Sequence, residues 1–188
     1  PRHHHFLLTL SRTLLWLGQL LINYTYVIYH KLNLYVIYNM TDVWGPPVWK
    51  FLHTLVDKVK PESFTFLKND LIHFIKSICD QLPCPECSTH ATMFMRKVNY
   101  KNIHDKETLR YVLFKFHNEV NKRLKYDIQD ERILEQYQKS SIEQCYVEFV
   151  KNITAFTNQK QMIHSMHRNR TIQNLTRWLR KNKNHFIF

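Results

Sequence analysis

The densest cluster of reactive side chains in the sequence is Leu82-Pro83-Cys84-Pro85-Glu86-Cys87-Ser88-Thr89-His90. Two cysteines separated by two residues serve either thiol–disulfide exchange or metal binding. Pro85 has the fixed φ that suits a first helical position, which puts Cys84 at or beside a helix N-cap. The free N–H groups and positive dipole end of such a helix stabilise a thiolate. Cys87 follows one turn later, within disulfide reach. The metal reading uses Cys79, Cys84, Cys87 and His90, a zinc-type ligand set. Zinc sites usually draw two pairs from separated segments, whereas these four crowd into twelve positions. Redox exchange is therefore favoured over zinc, and two inert buried cysteines rank below both.

A second strip is polar. His117, Asn118, Asn121 and Lys125 recur beside an apolar seam, with 118, 121 and 125 at steps of three and four. Together they offer donors, acceptors, a ring for stacking and one positive charge, which bound adenine, ribose and phosphate require. Taken alone, the strip reads as a solvated helix face. His53 lies on the core side of its own helix, where a lone histidine is more often a satisfied core residue than a ligand contact.

The elements that must position these residues read as helices. The chain has 188 residues but only two glycines, Gly18 and Gly45. Tight βαβ turns, hairpins and phosphate loops need more glycine than that, and no dinucleotide or phosphate-loop motif occurs. Trp44-Gly45-Pro46-Pro47 reads as a turn into a first helix with Trp49, Leu52, His53 and Val56 at helical spacing to about Val59. A second helix spans about Ser63 to Gln81, with Phe64, Leu67, Leu71, Phe74, Ile75 and Ile78 on one face. A third runs from the cysteine pair to about Val98, taking Met93, Phe94 and Met95 as core. A fourth, from about Asp105 to Lys125, carries the seam Leu109, Val112, Leu113, Phe116, Val120 and Leu124. Residues Asp130 to Thr157 read as one fifth helix with Ile133, Leu134, Tyr137, Ile142, Val147 and Val150 as apolar positions.

Charge divides the chain. The formal net charge of +12 is concentrated at the ends, since all acidic residues lie between positions 40 and 157. Residues 1–39 differ from the rest, with apolar runs such as Leu14-Leu15-Trp16-Leu17 and only Arg12 and Lys31 charged from Phe6 to Tyr38. They read as a non-native upstream extension ahead of a start at Met40, with a signal-anchor as the rival. Residues 40–157 form a nearly neutral globular domain on this division, and residues 158–188 a basic C-terminal tail. Basic ends bring nucleic acid, anionic membrane or an acidic partner into view, although a solvated tail is commoner.

Three motifs now stand in order: Trp44-Gly45-x3-Trp49-x2-Leu52-His53, the Cys84/Cys87 pair, and His117-Asn118-Glu119-Val120-Asn121-x2-Leu124-Lys125. The set resembles the Erv/ALR family of FAD-linked sulfhydryl oxidases, and is most similar to its short viral members. The resemblance covers about Val43 to Lys139. It implies an all-α fold, a four-helix bundle plus a short fifth helix, usually homodimeric, with FAD held among the helices. It places Trp44, Gly45, Trp49 and His53 at the flavin region. His117, Asn118 and Asn121 fall at the adenosine, Lys125 near phosphate, Leu124 within the cofactor site, and Tyr137 at the later aromatic position.

The implied chemistry starts with a substrate thiolate attacking Cys84, taken as the more accessible sulfur, with Cys87 nearer the flavin. Electrons then reach oxygen through FAD, giving hydrogen peroxide. The chain departs from the family pattern in two ways. No cysteine lies between Cys87 and Cys145, so a further structural disulfide common in cellular members is missing. No second cysteine pair is present as a shuttle, which points to a separate small dithiol protein as the direct substrate. Cys79 reads as a buried helix residue or a third exchangeable thiol, and Cys145 as a core cysteine or a bridge between subunits. The alternative is a helical zinc-binding interaction module; a thioredoxin-like exchanger ranks below it because its strands are missing. The expected location is host cytoplasm or virion, or a membrane reached through residues 6–38.

Overall fold

The computed structural model describes residues 19, 21–28, 41–155 and 162–187. The chain divides into two compact units, residues 1–42 and 43–188. In the first, residues 21–28 are helical, and Leu21, Ile22, Tyr24, Tyr26, Val27 and Ile28 are exposed. Among the described residues no helix is long and apolar enough to cross a membrane. The expectations for Met40 and for most of residues 1–39 lie outside the described residues.

The second unit is all-α, as expected. Helix α1 (residues 41–57) is its central rod, and every residue from Phe51 to Val59 is buried. A helix enclosed on all sides must satisfy its polar side chains internally. Each has a partner here. His53 meets His117, Thr54 Oγ1 lies 3.7 Å from Cys145 Sγ, and Lys58 Nζ donates to the Gln138 carbonyl at 2.8 Å. Asp57 Oδ1 pairs with Arg110 Nε at 3.2 Å.

Helix α2 (Phe64–Asp80) buries Phe64, Leu67, Leu71, Phe74, Ile75 and Ile78, the face read from the sequence. Helix α3 (Pro85–Lys97) starts at Pro85 with Cys84 as its N-cap. Helix α4 (Lys106–Leu124) is capped by Asp105, whose Oδ1 accepts from the Thr108 N–H at 2.7 Å. Lys125 closes it in the left-handed region at φ 60°. The short α5 (Glu135–Gln138) follows a 3-10 turn at Glu131–Leu134. Helix α6 (Ile142–Thr154) and helix α7 (Met162–Lys181) complete the unit.

Several expectations are corrected. The first helix does not begin after a turn at Trp44–Pro47, because residues 41–57 are continuously helical. Pro46 and Pro47 lie inside that helix, where each removes a ladder N–H and sets its ring against the carbonyl four residues back. The fifth helix is broken: Ser141 caps α6, its Oγ accepting from the Gln144 N–H at 3.3 Å. Ser141-x-x-Gln144 is the capping-box pattern, a start signal inside what reads as one helix. Of Met93, Phe94 and Met95 on α3, only Met95 is buried, and Met93 is 51% exposed, because three consecutive residues span about 200° of a helix. Val147 is likewise exposed, and Cys145, Phe149 and Ile153 fill the core side of α6.

The described part of the supposed tail is folded. Helix α7 packs on α2 and α6, with Leu175 wholly buried. Trp178 Nε1 donates to Asp70 at 2.7 Å, and Tyr146 and Thr176 hydroxyls lie 2.6 Å apart. Arg168 donates to the carbonyls of Gln81 and Ile153, both at 2.9 Å. The segment after α7 returns to α1, where the Ile187 N–H donates to the Lys58 carbonyl at 2.7 Å and Phe186 bridges Val59.

Candidate active site

Cys84 and Cys87 are joined by a disulfide, their Cα atoms 5.2 Å apart. The Cys87 N–H donates to Cys84 Sγ at 3.1 Å, so the sulfur itself caps α3. This is the N-cap arrangement that Pro85 implies. The pair is anchored at its rear by Ser88 Oγ donating to the Asp80 carbonyl at 2.6 Å and Thr92 Oγ1 to Asp80 Oδ1 at 3.3 Å. Cys84 is 6% exposed and Cys87 8%, so accessibility does not single out Cys84 as the sequence reading supposed. The zinc set does not assemble. Two of its four sulfur and nitrogen donors are spent in the disulfide, and among the described residues no metal-holding group occurs. Cys79 is buried, and that burial pushes its thiol up to about 12, with Asp80 adding to the shift.

A second centre lies where α1, α4 and α5 meet. His117 stacks on Trp49 with ring centres 4.0 Å apart, and His53 stacks on Tyr137 at 4.6 Å. His53 Nε2 and His117 Nδ1 face each other at 3.2 Å, tying the two stacks into one cluster. Trp49 also meets Phe116 edge-on at 4.9 Å, and Phe116 stacks on Phe94 of α3 at 4.7 Å. A continuous aromatic path therefore leads from the disulfide-bearing helix to the histidines.

Burial drives both imidazoles toward neutrality. His53 falls to about 3, through burial first and then His117 and Arg110; His117 falls to about 4 through burial. Two neutral rings suit one shared hydrogen bond, one donating and the other accepting. The unfolded chain binds more protons than the folded one below about pH 6.5. The associated stability is thus present above that pH and is lost as pH falls toward 4, at about 1.4 kcal/mol per unit per histidine. The urea midpoint is expected to drop between pH 7 and pH 5, and to drop less in His53→Gln. Identical pH slopes for the two proteins would contradict the assignment.

Asn118 and Asn121 turn out to organise a loop. Asn118 Oδ1 accepts from the Gln129 N–H and its Nδ2 donates to the Gln129 carbonyl, both at 2.9 Å. Asn121 Nδ2 reaches the Asp127 carbonyl at 3.4 Å. These contacts clamp residues 125–129 against α4, just beyond the half-buried Leu124. Asn118→Ala is expected to cost about 1–3 kcal/mol and to accelerate amide exchange at Gln129. Unchanged exchange there would remove the clamp from the account.

Sequence reasoning overlooked Arg123 and Glu86. Arg123 Nη1 lies 3.3 Å from Glu86 Oε1 and 3.1 Å from His90 Nδ1, fastening the first turn of α3 to the end of α4. The signal was a carboxylate inside the cysteine motif and an arginine beside the polar strip, but their pairing is tertiary. Trp44 and Gly45 stand on α1 one turn before Trp49. The Trp44 indole N–H is buried without an acceptor, and a Cβ placed on Gly45 would meet open space. A buried orphan donor beside a side-chain gap fits a ligand that brings acceptors and planar area.

The fold and site define an all-helical dithiol–disulfide protein whose redox pair caps one helix and connects through aromatic rings to a neutral histidine pair. The chain belongs to the Erv1/Alr family, whose model matches residues 46–141. A FAD-linked sulfhydryl oxidase of African swine fever virus (isolate Pig/Kenya/KEN-50/1950) is 35% identical over 81 residues, covering 43% of this chain and 67% of that protein. A putative FAD-linked sulfhydryl oxidase of Invertebrate iridescent virus 3 is 30% identical over 83 residues, covering 44% and 56%. Another, from Invertebrate iridescent virus 6, is 26% identical over 95 residues, covering 45% and 86%. No solved structure matches the chain.

Proposed function

We propose that this chain is a FAD-linked thiol oxidase that forms disulfides in protein substrates and passes the electrons to oxygen, giving hydrogen peroxide. The observation that carries the reading is the Cys84–Cys87 disulfide at the N-terminus of α3 in a chain of the Erv1/Alr family. A substrate thiolate attacks Cys84 Sγ, the Cys84–Cys87 bond breaks, and its electron pair leaves on Cys87. The second substrate thiolate attacks the substrate sulfur of the mixed disulfide and expels Cys84. That expulsion is favoured because Cys84 Sγ already accepts the Cys87 N–H at the positive end of α3. The substrate leaves oxidised, and the cysteine pair holds two electrons.

Bound FAD supplies the two-electron acceptor that re-forms the disulfide and the means of reducing oxygen. On this reading Trp44, Gly45, Trp49 and His53 border the flavin, and His117 and Tyr137 supply aromatic walls. Lys125 brings positive charge near phosphate, and Leu124 packs beside it. Asn118 and Asn121 act chiefly by holding the 125–129 loop in shape. Arg123 keeps the cysteine turn in register with α4.

The substrate is a separate dithiol protein, because the two cysteines of this sequence outside the pair, Cys79 and Cys145, are buried and lie on different helices. The viral relatives support a viral enzyme that keeps disulfides in host cytoplasm or virion, and the family likeness supports a homodimer. The deciding experiment is the visible spectrum of the purified chain, followed by oxygen uptake on addition of a dithiol. A flavin spectrum that bleaches with thiol, with peroxide formed, is expected. A colourless protein, or one holding stoichiometric zinc, would overturn the proposal.

A further inference from the structure

Helix α7 lies wholly beyond the residues matched by the family, and its two sides differ sharply in character. The inner side is committed to the fold through Leu175, Ser165, Arg168 and Asn182, all buried. The outer side exposes Arg170, Arg177, Arg180 and Lys181, with Gln173 and Asn174 between them. No acidic residue occurs anywhere from position 158 to 188. A solvated helix normally mixes signs, because like charges one turn apart repel and destabilise it. Of the carboxylates on the elements beneath, Asp70 of α2 accepts from Trp178 and Glu148 of α6 pairs with Lys50, so neither forms an ion pair with the exposed cationic row.

We propose that the outer face of α7 docks the phosphate backbone of duplex nucleic acid. Arg170 and Arg177 are two turns apart, about 10 Å along the axis, and Lys181 follows about 6 Å further on. The row therefore runs straight for about 16 Å along the helix, long enough to meet several backbone phosphates. Arginine with neighbouring amides is the side-chain set that contacts phosphate and sugar oxygens. The Arg177 guanidinium is held for that role by its Nη2 donating to Asn174 Oδ1 at 2.6 Å. A membrane is a poorer fit. An amphipathic helix lying in a bilayer needs a free apolar face, and that face of α7 is spent on α2 and α6. The exposed apolar residues Ile163 and Met166 stand together at the opposite end from the cationic row. The face carries no exposed aromatic ring for base stacking, so the contact reads charge and not sequence.

The test measures binding of the full chain to a labelled 24-base-pair DNA duplex by fluorescence anisotropy from 50 to 200 mM salt. Four cationic contacts predict a slope of log affinity against log salt of about −3 to −4, similar for unrelated duplex sequences. The double variant Arg170→Gln/Arg177→Gln is expected to reduce the slope by about 2 and to weaken binding at 50 mM salt at least about tenfold. Its thermal unfolding and dithiol-driven oxygen uptake should match the parent, which separates the surface from the fold and the active site. No binding at 50 mM salt overturns the proposal, as does binding that the double variant leaves intact. Binding to phosphatidylserine vesicles without binding to the duplex overturns it in favour of a membrane surface.

Discussion

Replacing Cys84 or Cys87 by serine is expected to abolish dithiol-driven oxygen uptake while the purified chain keeps its flavin colour. Either change removes the only bond in the described structure that a thiol can open to store electrons. The two variants should nevertheless differ. Cys87→Ser leaves Cys84 at the N-cap, where the amide of residue 87 still donates to its sulfur and stabilises the thiolate. Mixed with the oxidised, disulfide form of the substrate, its Cys84 thiolate should therefore attack that disulfide, expel one substrate sulfur as thiolate and form a mixed disulfide, visible as a mass increase lost on reduction. Cys84→Ser keeps a capping oxygen, so α3 should stay intact, and it loses the sulfur proposed to receive the substrate. Retained oxygen uptake in either variant would place the reactive disulfide elsewhere. Colour lost together with activity would show that the cysteines hold the cofactor site together and would leave the exchange steps unproven.

Leu175→Ala is expected to lower the stability of the second unit by about 2–5 kcal/mol, a large share of a typical domain's total of about 5–15. Leu175 is fully buried where α7 packs on α2 and α6, so truncation leaves a cavity that the surrounding helices only partly close. The measurement is a urea titration followed by far-UV circular dichroism and by the fluorescence of the tryptophans. Both probes should move to the same lower midpoint with an unchanged slope, because α7 unfolds with the bundle. If the midpoint stays put, or if protease removes α7 while the rest keeps its midpoint, α7 is an appendage and not part of the core.

Most of α7 was not legible in the sequence, where only a basic amphipathic piece at residues 177–181 stood out. Helices α2 and α4 advertise themselves with apolar residues at steps of three and four, and α3 with a proline and a capping residue. Helix α7 docks through few apolar side chains, chiefly Leu175 and Trp178, and through hydrogen bonds from Arg168, Trp178 and Thr176. Polar docking leaves little hydrophobic period to read. The active-site pair was legible because a disulfide between positions i and i+3 is local geometry. The spacing of His53 and His117 could be read, but not their meeting at 3.2 Å, since nothing local brings residues 64 positions apart together. His53 shows the same limit from the other side. Its place on a core-facing helix was plain, and its partner was not. The break at Ser141 was written in the sequence as a capping box and was masked by apolar residues continuing on both sides.

Lys125 gives the molecule an unclaimed reserve of stability. A lysine at φ 60° holds about 1–2 kcal/mol of local strain that glycine would relieve, although glycine returns part of that as chain entropy. Lys125→Gly should therefore raise the melting temperature slightly while weakening retention of the anionic cofactor. A variant that gains in both would show that the charge is dispensable. If the two properties move in opposite directions, the position is one where selection has kept a less stable helix end for the sake of what it holds.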